Sequence, residues 1–400
     1  MTHPITGLIH HPYVPPEGFE APQLGVFKAS TVFFPTVAAM RSREWKDKTA
    51  YTYGLHGTPT SYALEERLAT LEGGKQCLLV PSGLAALGLV ALSLLKSGDE
   101  VLLPDNVYGP NKSLVEGELM GWGITHQYYN PMDPEDLEAQ ISSRTKLVWL
   151  EAAGSVSLEF PNLVEMVRIC QRRKVLTALD NTWGAGLAFD AFRLGQTPDG
   201  EAFGVDVTIH ALTKYPSGGG DVLMGAVVTR DPTLHHRLKM THMRLGLGVG
   251  ANDAELVLRG LPSLAVRYAA HDASTRQIAQ WLTRQPEISQ VLHPALPDSP
   301  GHAYFLQTCR AAGGLVSMVF EAHRHSSAQV EAFVDALKLF KIGYSWGGPL
   351  SLVMPYELQG MRQFGPLAGQ KGTLVRLAVG LESVNDLIAD LDQAFRVLRG

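Results

Sequence analysis

The chain has 400 residues, of which 45% are hydrophobic and 18% are charged, and its formal net charge is −5. This balance is typical of a globular protein with a large core and room for more than one domain, and the acidic charge offers no basic surface for nucleic acid. No apolar run is long enough to cross a membrane, no signal-peptide pattern opens the chain, and the three cysteines lie far apart, so we predict a cytoplasmic protein that acts on a small molecule.

The first 57 residues are predicted to form an N-terminal arm. They contain many prolines, a short apolar piece at Ser30–Phe34 and a charged run at Arg41–Lys48. A segment with so little regular pattern cannot build a core of its own. We therefore expect the arm to lie against a neighbouring subunit.

From Thr60 onward, helical and strand patterns alternate and define a domain over residues 58–250. The first helix begins at Thr60 or Ser61 and stops at Gly73. Further helices are predicted from Ser82 and at Pro110–Met120, Pro134–Ile141 and Pro161–Arg173. Strands are predicted at Gln76–Val80, Val101–Leu103, Thr125–Tyr129, Lys146–Glu151, Leu176–Asp180, Val205–Ile209 and Val222–Val228. This order predicts an α/β fold with a mostly parallel sheet that helices cover on both faces.

Residues 251–400 are predicted to form a smaller α+β domain. It begins with a long helical pattern at Asp253–Arg284, interrupted at Gly260 and Pro262. The later elements are strands at Leu315–Phe320 and Val375–Ala378 and helices at Ala328–Lys338 and Asn385–Leu398.

One lysine stands at a position suited to chemistry. Lys214 follows the strand Val205–Ile209 and precedes the glycine run Gly218–Gly220. Ligands bind at the carboxyl ends of strands in parallel sheets, and a lysine amine there can form a Schiff base with a carbonyl. Taken alone, the stretch is more typical of a solvated surface lysine.

Four other residues supply what pyridoxal phosphate needs besides a lysine. Asp180 ends an apolar strand and can pair with the pyridine nitrogen, although a turn residue is the simpler reading of one aspartate. Ser82 opens a helix whose first N–H groups suit a phosphate, or is a plain N-cap. Thr213 can donate a hydroxyl to the same phosphate. Tyr108 can stack on the ring or belong to the core.

The order of the motifs identifies a family. The sequence resembles the Cys/Met-metabolism family of pyridoxal-phosphate enzymes over nearly its whole length. The resemblance rests on YGLHGTPTSYALEERLATLEGG from Tyr53, PSGLAAL from Pro81, DNVYGP from Asp105, DNTWGAG from Asp180, HALTKYPSGGGD from His210, LRGLPSL from Leu258, HPALPDSPGH from His293, YSWGG from Tyr344 and RLAVGLE from Arg376.

The resemblance implies a fold-type-I architecture, similar to pyridoxal-phosphate-dependent transferases. This has a seven-stranded cofactor domain, a smaller C-terminal α+β domain and an N-terminal arm, in a homotetramer built from dimers that share active sites across their interface. It assigns Lys214 to the covalent bond with the cofactor, Asp180 to the ring nitrogen and Tyr108 to ring stacking. It places Ser82, Gly83, Leu84, Thr213 and the neighbouring subunit's copy of Tyr53 around the phosphate, and Arg376, Tyr344, Ser345, Trp346 and Tyr53 around the substrate.

The arginine also has a physical argument. Arg376 lies in an apolar strand, where an unpaired guanidinium would be costly, and its planar fork matches a substrate α-carboxylate. An arginine considered without its context is more typical of a surface ion pair.

Within the family, the sequence most resembles the cystathionine β-lyases. γ-Acting relatives typically carry a glutamate at the position of Tyr344, and methionine γ-lyases carry a cysteine shortly after the stacking tyrosine, where this chain has Gly109 and Pro110. The resemblance therefore implies α,β-elimination of L-cystathionine to homocysteine, pyruvate and ammonia. Either Lys214 or Tyr108 takes the Cα proton, and each would need a depressed pKa.

Other functions stay open. They are a γ-lyase, γ-synthase or sulfhydrylase, a broad cysteine-S-conjugate lyase or desulfhydrase, and a non-enzymatic protein that regulates a transcription factor. No metal site is expected, because the paired histidines lack the spacing of ligands on a helix.

Several positions depart from the family pattern. The usual phosphate-binding arginine is Leu55, with His56 beside it as a partial replacement. Ala211 stands where many relatives have a serine, and Leu350 where a glutamate is common. These changes bear on cofactor affinity rather than on proton transfer.

Overall fold

A computed structural model describes residues 4–12, 17–18, 21, 23–43, 48, 50–197 and 199–399. Pro15, Pro16 and Pro22 of the arm, and residues 44–47 of its charged run, lie outside the described residues. The arm contains two short helices, α1 (Pro4–Ile9) and α2 (Val37–Arg41). Leu8 of α1 is buried in the core of its own chain, so this part of the arm is anchored within the subunit.

A seven-stranded sheet forms the centre of the molecule. Its strands are β1 (Gln76–Val80), β2 (Glu100–Pro104), β3 (Thr125–Tyr129), β4 (Thr145–Glu151), β5 (Leu176–Asp180), β8 (Val207–Ala211) and β9 (Gly225–Thr229). Strands β6 (Gly195–Gln196) and β7 (Ala202–Phe203) pair separately as a short two-stranded ribbon. The sheet has the order β1-β9-β8-β5-β4-β2-β3. β9 is antiparallel to both of its neighbours and the other pairs are parallel. The predicted mostly parallel, seven-stranded α/β fold is confirmed.

Helices cover both faces of this sheet, because alternate residues of its strands are apolar on opposite sides. Leu79 and Val148 belong to one core and their chain neighbours Leu78 and Leu147 to the other. The helices of this region are α3 (Pro59–Glu72), α4 (Gly83–Leu94), α5 (Gly109–Leu114), α6 (Pro134–Gln140), α7 (Leu163–Arg173), α8 (Pro232–Leu245) and α9 (Ala251–Gly260).

A second sheet of five strands lies in the C-terminal part of the chain. Its order is β10-β11-β14-β13-β12, and it has its own core with Val316, Phe333 and Phe395. The elements are α10 (Leu264–Leu282), β10 (Gln290–Leu292), α11 (His302–Thr308), β11 (Leu315–Glu321), α12 (Ser327–Asp335), β12 (Lys341–Ile342), β13 (Leu352–Glu357), β14 (Gly372–Ala378) and α13 (Val384–Arg399). Mostly antiparallel pairing distinguishes this sheet from the larger one.

The structure differs from the predicted elements in several places. The long helix expected at Asp253–Arg284 is divided into α9, a 3-10 turn at Leu261–Ser263 and α10. Pro262 lies in this turn, and it lacks the N–H that a continuous helix would use. Helix α8 and strands β10 and β13 were not predicted, and helix α5 continues as a π-helical turn at Val115–Leu119.

A buried polar cluster joins α3 to two strand ends. The Glu72 carboxylate accepts a hydrogen bond from Asn181 Nδ2 at 2.7 Å and lies 2.9 Å from His210 Nδ1. All three residues are almost fully buried. Because Asn181 follows β5 and His210 belongs to β8, the cluster fixes the two strands that lead to Asp180 and Lys214.

None of the helices among the described residues combines the length and the apolar character needed to span a lipid bilayer.

Candidate active site

The candidate site is a cavity of about 430 Å³ at the carboxyl-terminal edge of the large sheet. Strand β1 runs in the same direction as the parallel strands, because the antiparallel β9 separates it from β8. The ends of β1, β4, β5 and β8 therefore open on one edge. Residues 344–346 and Arg376 of the second sheet region close the cavity from the other side.

Lys214 projects into this cavity from the turn after β8. Its Nζ donates a hydrogen bond to Ser345 Oγ at 2.7 Å and lies 5.2 Å from the centre of the Trp346 ring. Burial and the nearby Arg376 guanidinium lower the pKa of Lys214 to about 8, against the opposing effect of Asp180. A lysine in this environment carries a substantial neutral fraction near neutral pH, which is the nucleophilic form.

Asp180 ends β5 and lines the same cavity. Its Oδ1 accepts a hydrogen bond from the Thr182 N–H at 3.0 Å. Burial raises the pKa of Asp180, while hydrogen bonds from Thr182 and the positive charges of His210 and Lys214 oppose the rise. The arrangement suits a carboxylate that pairs with a cationic group entering the cavity.

Tyr108 lines the cavity at the start of α5, and 43% of its surface is exposed. Burial of its phenol, followed by the nearby carboxyl groups of Asp180 and Glu151, raises the pKa of Tyr108. The expected depression of the pKa is thus present at Lys214 and is reversed at Tyr108. Of the two groups, Lys214 has the electrostatic surroundings of a base.

Glu151 is a cavity residue that the sequence analysis missed. It ends β4, and its register partner on the adjacent strand is Asp180. Its Oε2 accepts a hydrogen bond from the Tyr108 N–H at 2.7 Å. Burial and the negative charge of Asp180 raise the pKa of Glu151 well above its ordinary value. The signal was available, because Glu151 ends an apolar strand in the same way as Asp180.

The amino end of α4 forms another wall of the cavity through Ser82, Gly83 and Leu84. Ser82 Oγ caps the helix by accepting the Ala85 N–H at 3.0 Å, whereas the first N–H groups of a helix have no acceptor within it. A Cβ at Gly83 would lie 2.7 Å from the Ala211 Cβ. The glycine therefore allows this end of α4 to pack closely against Ala211, and the first N–H groups of the helix suit an anion.

Thr213 is the second polar group predicted near the phosphate, and it also lines the cavity. Its hydroxyl bonds the backbone of Met224, with distances of 3.4 Å to the carbonyl oxygen and 3.3 Å to the nitrogen. These bonds hold the turn that carries Lys214 against the segment before β9.

Arg376 enters the cavity from β14 and is 8% exposed. Its Nη2 donates to the Ser345 carbonyl at 3.2 Å, and its buried Nε has no partner among the described residues. No carboxylate among the described residues forms an ion pair with Arg376. Burial lowers the pKa of Arg376. A buried guanidinium with an unused donor is suited to a carboxylate that comes from outside the chain.

The YSWGG motif connects these groups. Ser345 has a φ of 79°, in the left-handed region, and contacts both Lys214 and Arg376. The Trp346 ring packs against Tyr215, with 5.4 Å between their centres. Tyr344 lines the mouth of the cavity and is 77% exposed.

Tyr53 does not join the cavity of its own chain. It is 46% exposed and pairs with Thr31 in an isolated β-bridge. Leu55 and His56 line a separate small pocket, where His56 Nδ1 lies 2.8 Å from Thr52 Oγ1. The predicted role of Tyr53 concerns the neighbouring subunit and stays a prediction.

The residues present fit pyridoxal phosphate. A lysine with a lowered pKa, a half-buried carboxylate, an aromatic ring and a helix amino end face one cavity. The unused Nε of Arg376 leaves a place for the substrate carboxylate.

Known proteins resemble the chain over its whole length. The sequence profile of a family described as Cys/Met metabolism PLP-dependent enzymes matches residues 5–396. The chain is 37% identical to the cystathionine beta-lyase of Bordetella avium, covering 98% of this chain and 97% of that protein. It is 30% identical to the cystathionine gamma-synthase of Mycobacterium bovis, with 98% and 97% covered. The crystal structure of cystathionine gamma-lyase from Lactobacillus plantarum, complexed with L-serine, matches with a TM-score of 0.87 at 26% identity, covering 100% of both chains.

Proposed function

Because the chain belongs to the Cys/Met-metabolism family of pyridoxal-phosphate-dependent enzymes, we propose that it is a carbon–sulfur lyase that cleaves L-cystathionine by α,β-elimination. The products are homocysteine, pyruvate and ammonia, and homocysteine serves methionine biosynthesis. The observation that carries the proposal is the single cavity that gathers Lys214, Asp180, Tyr108 and Arg376. The similarity to a cystathionine beta-lyase supports the choice of substrate.

Each cavity wall holds a different part of the cofactor. Lys214 Nζ would form the covalent bond to it, Asp180 would pair with its ring nitrogen, and Tyr108 would stack on its ring. The amino end of α4 and the hydroxyl of Thr213 would bind its phosphate. Bound pyridoxal phosphate supplies an electron sink for the charge that develops at the substrate Cα.

Lys214 is the proposed base for the Cα proton. Its pKa of about 8 lets Nζ be neutral in part of the molecules near neutral pH, so that it can accept a proton. Ser345 Oγ accepts a hydrogen bond from Lys214 Nζ at 2.7 Å and would hold the amine in place while it is not bonded to the cofactor. The raised pKa of Tyr108 disfavours its phenolate as the base, and we assign the tyrosine to stacking.

Arg376 binds the substrate α-carboxylate with its free Nε and fixes the orientation of the Cα–H bond. Such a two-point contact would hold the substrate in one orientation, with its Cα–H bond accessible to Lys214. The Cα proton would pass to Lys214 Nζ as the Cβ–S bond breaks, and the sulfur would leave as a thiolate that takes this proton back to give homocysteine. Water would then hydrolyse the remaining three-carbon fragment to pyruvate and ammonia. Tyr344 at the cavity mouth supports β-elimination, because γ-acting relatives carry a glutamate there.

A γ-acting enzyme is the second candidate. The structural similarity to a cystathionine gamma-lyase and the 30% sequence identity to a cystathionine gamma-synthase favour a γ-acting enzyme over other classes. The keto acid distinguishes the two, because γ-elimination of cystathionine gives 2-oxobutyrate and cysteine. A broad cysteine-S-conjugate lyase would give pyruvate from many thioethers, and a regulatory protein would give no keto acid.

The test begins with the visible spectra of the purified protein and a Lys214→Ala variant. A cofactor band present in the first and absent from the second, with pyruvate and homocysteine formed together from L-cystathionine, is the expected result. Formation of 2-oxobutyrate and cysteine would instead move the assignment to the γ-acting group. A protein that takes up no pyridoxal phosphate would contradict the proposed enzyme altogether.

The proposal extends to the assembly. Residues 58–250 are the cofactor domain, residues 251–400 the smaller domain, and residues 1–57 the arm that reaches a neighbour in a homotetramer made of two dimers. The exposed Tyr53 would then lie at the neighbour's phosphate. Light scattering gives the number of subunits. A Tyr53→Ala variant that keeps its tetramer and loses cofactor affinity is the expected result, and unchanged affinity would contradict the sharing of sites.

A further inference from the structure

Glu151 has a position that none of the proposed roles uses. It is the last residue of β4, beside Asp180 in the sheet register, and it is 8% exposed at the wall of the cavity. No lysine or arginine among the described residues forms an ion pair with it. A buried acid without a cation partner is costly unless it is neutral or well hydrogen-bonded, so its presence requires an explanation.

The contact that Glu151 makes is with the backbone of Tyr108. The Tyr108 N–H donates to Glu151 Oε2 at 2.7 Å, and the Tyr108 carbonyl accepts the Asn111 N–H at 2.8 Å as α5 begins. The phenol makes no hydrogen bond of its own among the described residues. The position of the ring is therefore set by its backbone, and Glu151 is the side chain that holds this backbone.

We propose that Glu151 is a positioning residue, whose buried carboxyl holds the Tyr108 backbone so that the ring stands over the cofactor. The proposal rests on the stacking role assigned to Tyr108 above. It adds a residue on β4 to the cofactor site and links the aromatic wall to the strand beside Asp180.

The chemistry of the pair predicts which side chains can serve at this position. Two carboxylates at adjacent strand ends disfavour a second negative charge, and the raised pKa of Glu151 agrees with a neutral carboxyl. A neutral amide offers the same oxygen acceptor with nearly the same length. Glutamine should therefore replace Glu151, whereas leucine removes the acceptor and aspartate is one methylene too short to reach the Tyr108 N–H.

The test measures the dissociation constant of pyridoxal phosphate, by titrating the apo-protein and following the visible band. Glu151→Leu and Glu151→Asp are expected to weaken binding by about 10-fold or more, since they leave a buried N–H without its partner. Glu151→Gln should stay within about twofold of the unaltered protein. If the glutamine variant binds as weakly as the leucine variant, the charge and not the hydrogen bond is important, and the proposal is wrong.

A double-mutant cycle with Tyr108→Ala separates positioning from a general loss of structure. If Glu151 acts through the Tyr108 ring, Glu151→Leu should cause little further loss of affinity once that ring is absent. Additive losses would overturn the proposal. Glu100→Gln is the matched control, because Glu100 is a buried acid at the opposite end of the neighbouring strand β2, and it should leave the cofactor constant unchanged.

The outcome is independent of the reaction assignment. The cycle uses cofactor binding alone, so it gives the same answer whether the product from cystathionine is pyruvate or 2-oxobutyrate. If pyruvate forms and the losses are additive, the inference about Glu151 fails while the proposed lyase stands. If the losses are coupled and 2-oxobutyrate forms, the reverse holds.

Discussion

The reactivity of Lys214 in the cofactor-free protein is the most direct consequence of its surroundings. Burial and Arg376 lower the pKa of this amine from 10.5 to about 8. At pH 7, about 10% of an amine with the lower pKa is neutral, against roughly 0.03% of an ordinary lysine. The neutral, nucleophilic fraction of Lys214 at pH 7 should therefore be about 300-fold larger than that of an ordinary lysine, which favours its reaction with an uncharged acylating reagent.

The assay is competitive labelling of the apo-protein with acetic anhydride at a series of pH values, followed by peptide mass spectrometry. The exposed Lys75 is labelled in the same samples and serves as an internal reference for reagent concentration. The labelling of Lys214 should follow a titration curve with its midpoint near pH 8.

Two variants give opposite signs and so test the cause. Arg376→Met removes a positive neighbour and should move the midpoint upward, while Asp180→Asn removes a negative neighbour and should move it downward. A midpoint above pH 10 in the unaltered protein would refute the reasoning. Equal midpoints in the three proteins would show that burial, and not charge, sets the reactivity.

Three further predictions concern affinity, specificity and stability. Gly83→Ala should weaken cofactor binding about tenfold or more, because the added Cβ would lie 2.7 Å from the Ala211 Cβ. The control Gly88→Ala, in the same helix, has open space around the new Cβ and should stabilise the fold by up to about 1 kcal/mol. Equal dissociation constants for the cofactor in the two variants would contradict the proposed phosphate site at the amino end of α4. Arg376→Met should raise KM for the amino-acid substrate about 100-fold and keep the visible band of the cofactor, and Arg376→Lys should raise KM less. Loss of the cofactor band in Arg376→Met would instead indicate that the arginine binds the cofactor. In the cofactor-free state, Lys214→Met should have a free energy of unfolding up to about 3 kcal/mol higher than the unaltered protein at pH 7, because the folded protein disfavours the protonated lysine below about pH 8. This difference should disappear as the pH rises from 8 to 10.5. Denaturant unfolding at both ends of this range tests the sign.

The sequence predicted the large sheet well, because its strands are short apolar runs with clear boundaries. The strands predicted at Gln76–Val80, Thr125–Tyr129 and Leu176–Asp180 have the observed bounds. Helix α8 was missed for a physical reason. Its buried face carries His235, Lys239 and His242, so its pattern of apolar residues is incomplete.

The site was predicted in part. The residues at strand ends were found because each follows an apolar run, and the cavity brings Lys214, Asp180 and Tyr108 together. Glu151 ends an apolar strand as Asp180 does, so its place at the strand edge could have been predicted, whereas its contact with Tyr108, 43 positions away in the chain, could not. The role predicted for Tyr53 concerns a neighbouring subunit and stays a prediction.

The division of the cavity between two sheets has a consequence for how such an enzyme can diversify. The strand ends of the large sheet carry the residues proposed to bind the cofactor, whereas the smaller sheet region contributes residues 344–346 and Arg376, which are proposed to bind the substrate. Substitutions near Tyr344 can therefore change which thioether is selected without altering the strand ends that hold the cofactor. The segment around Tyr344 is therefore the first target for laboratory evolution of new substrate preferences.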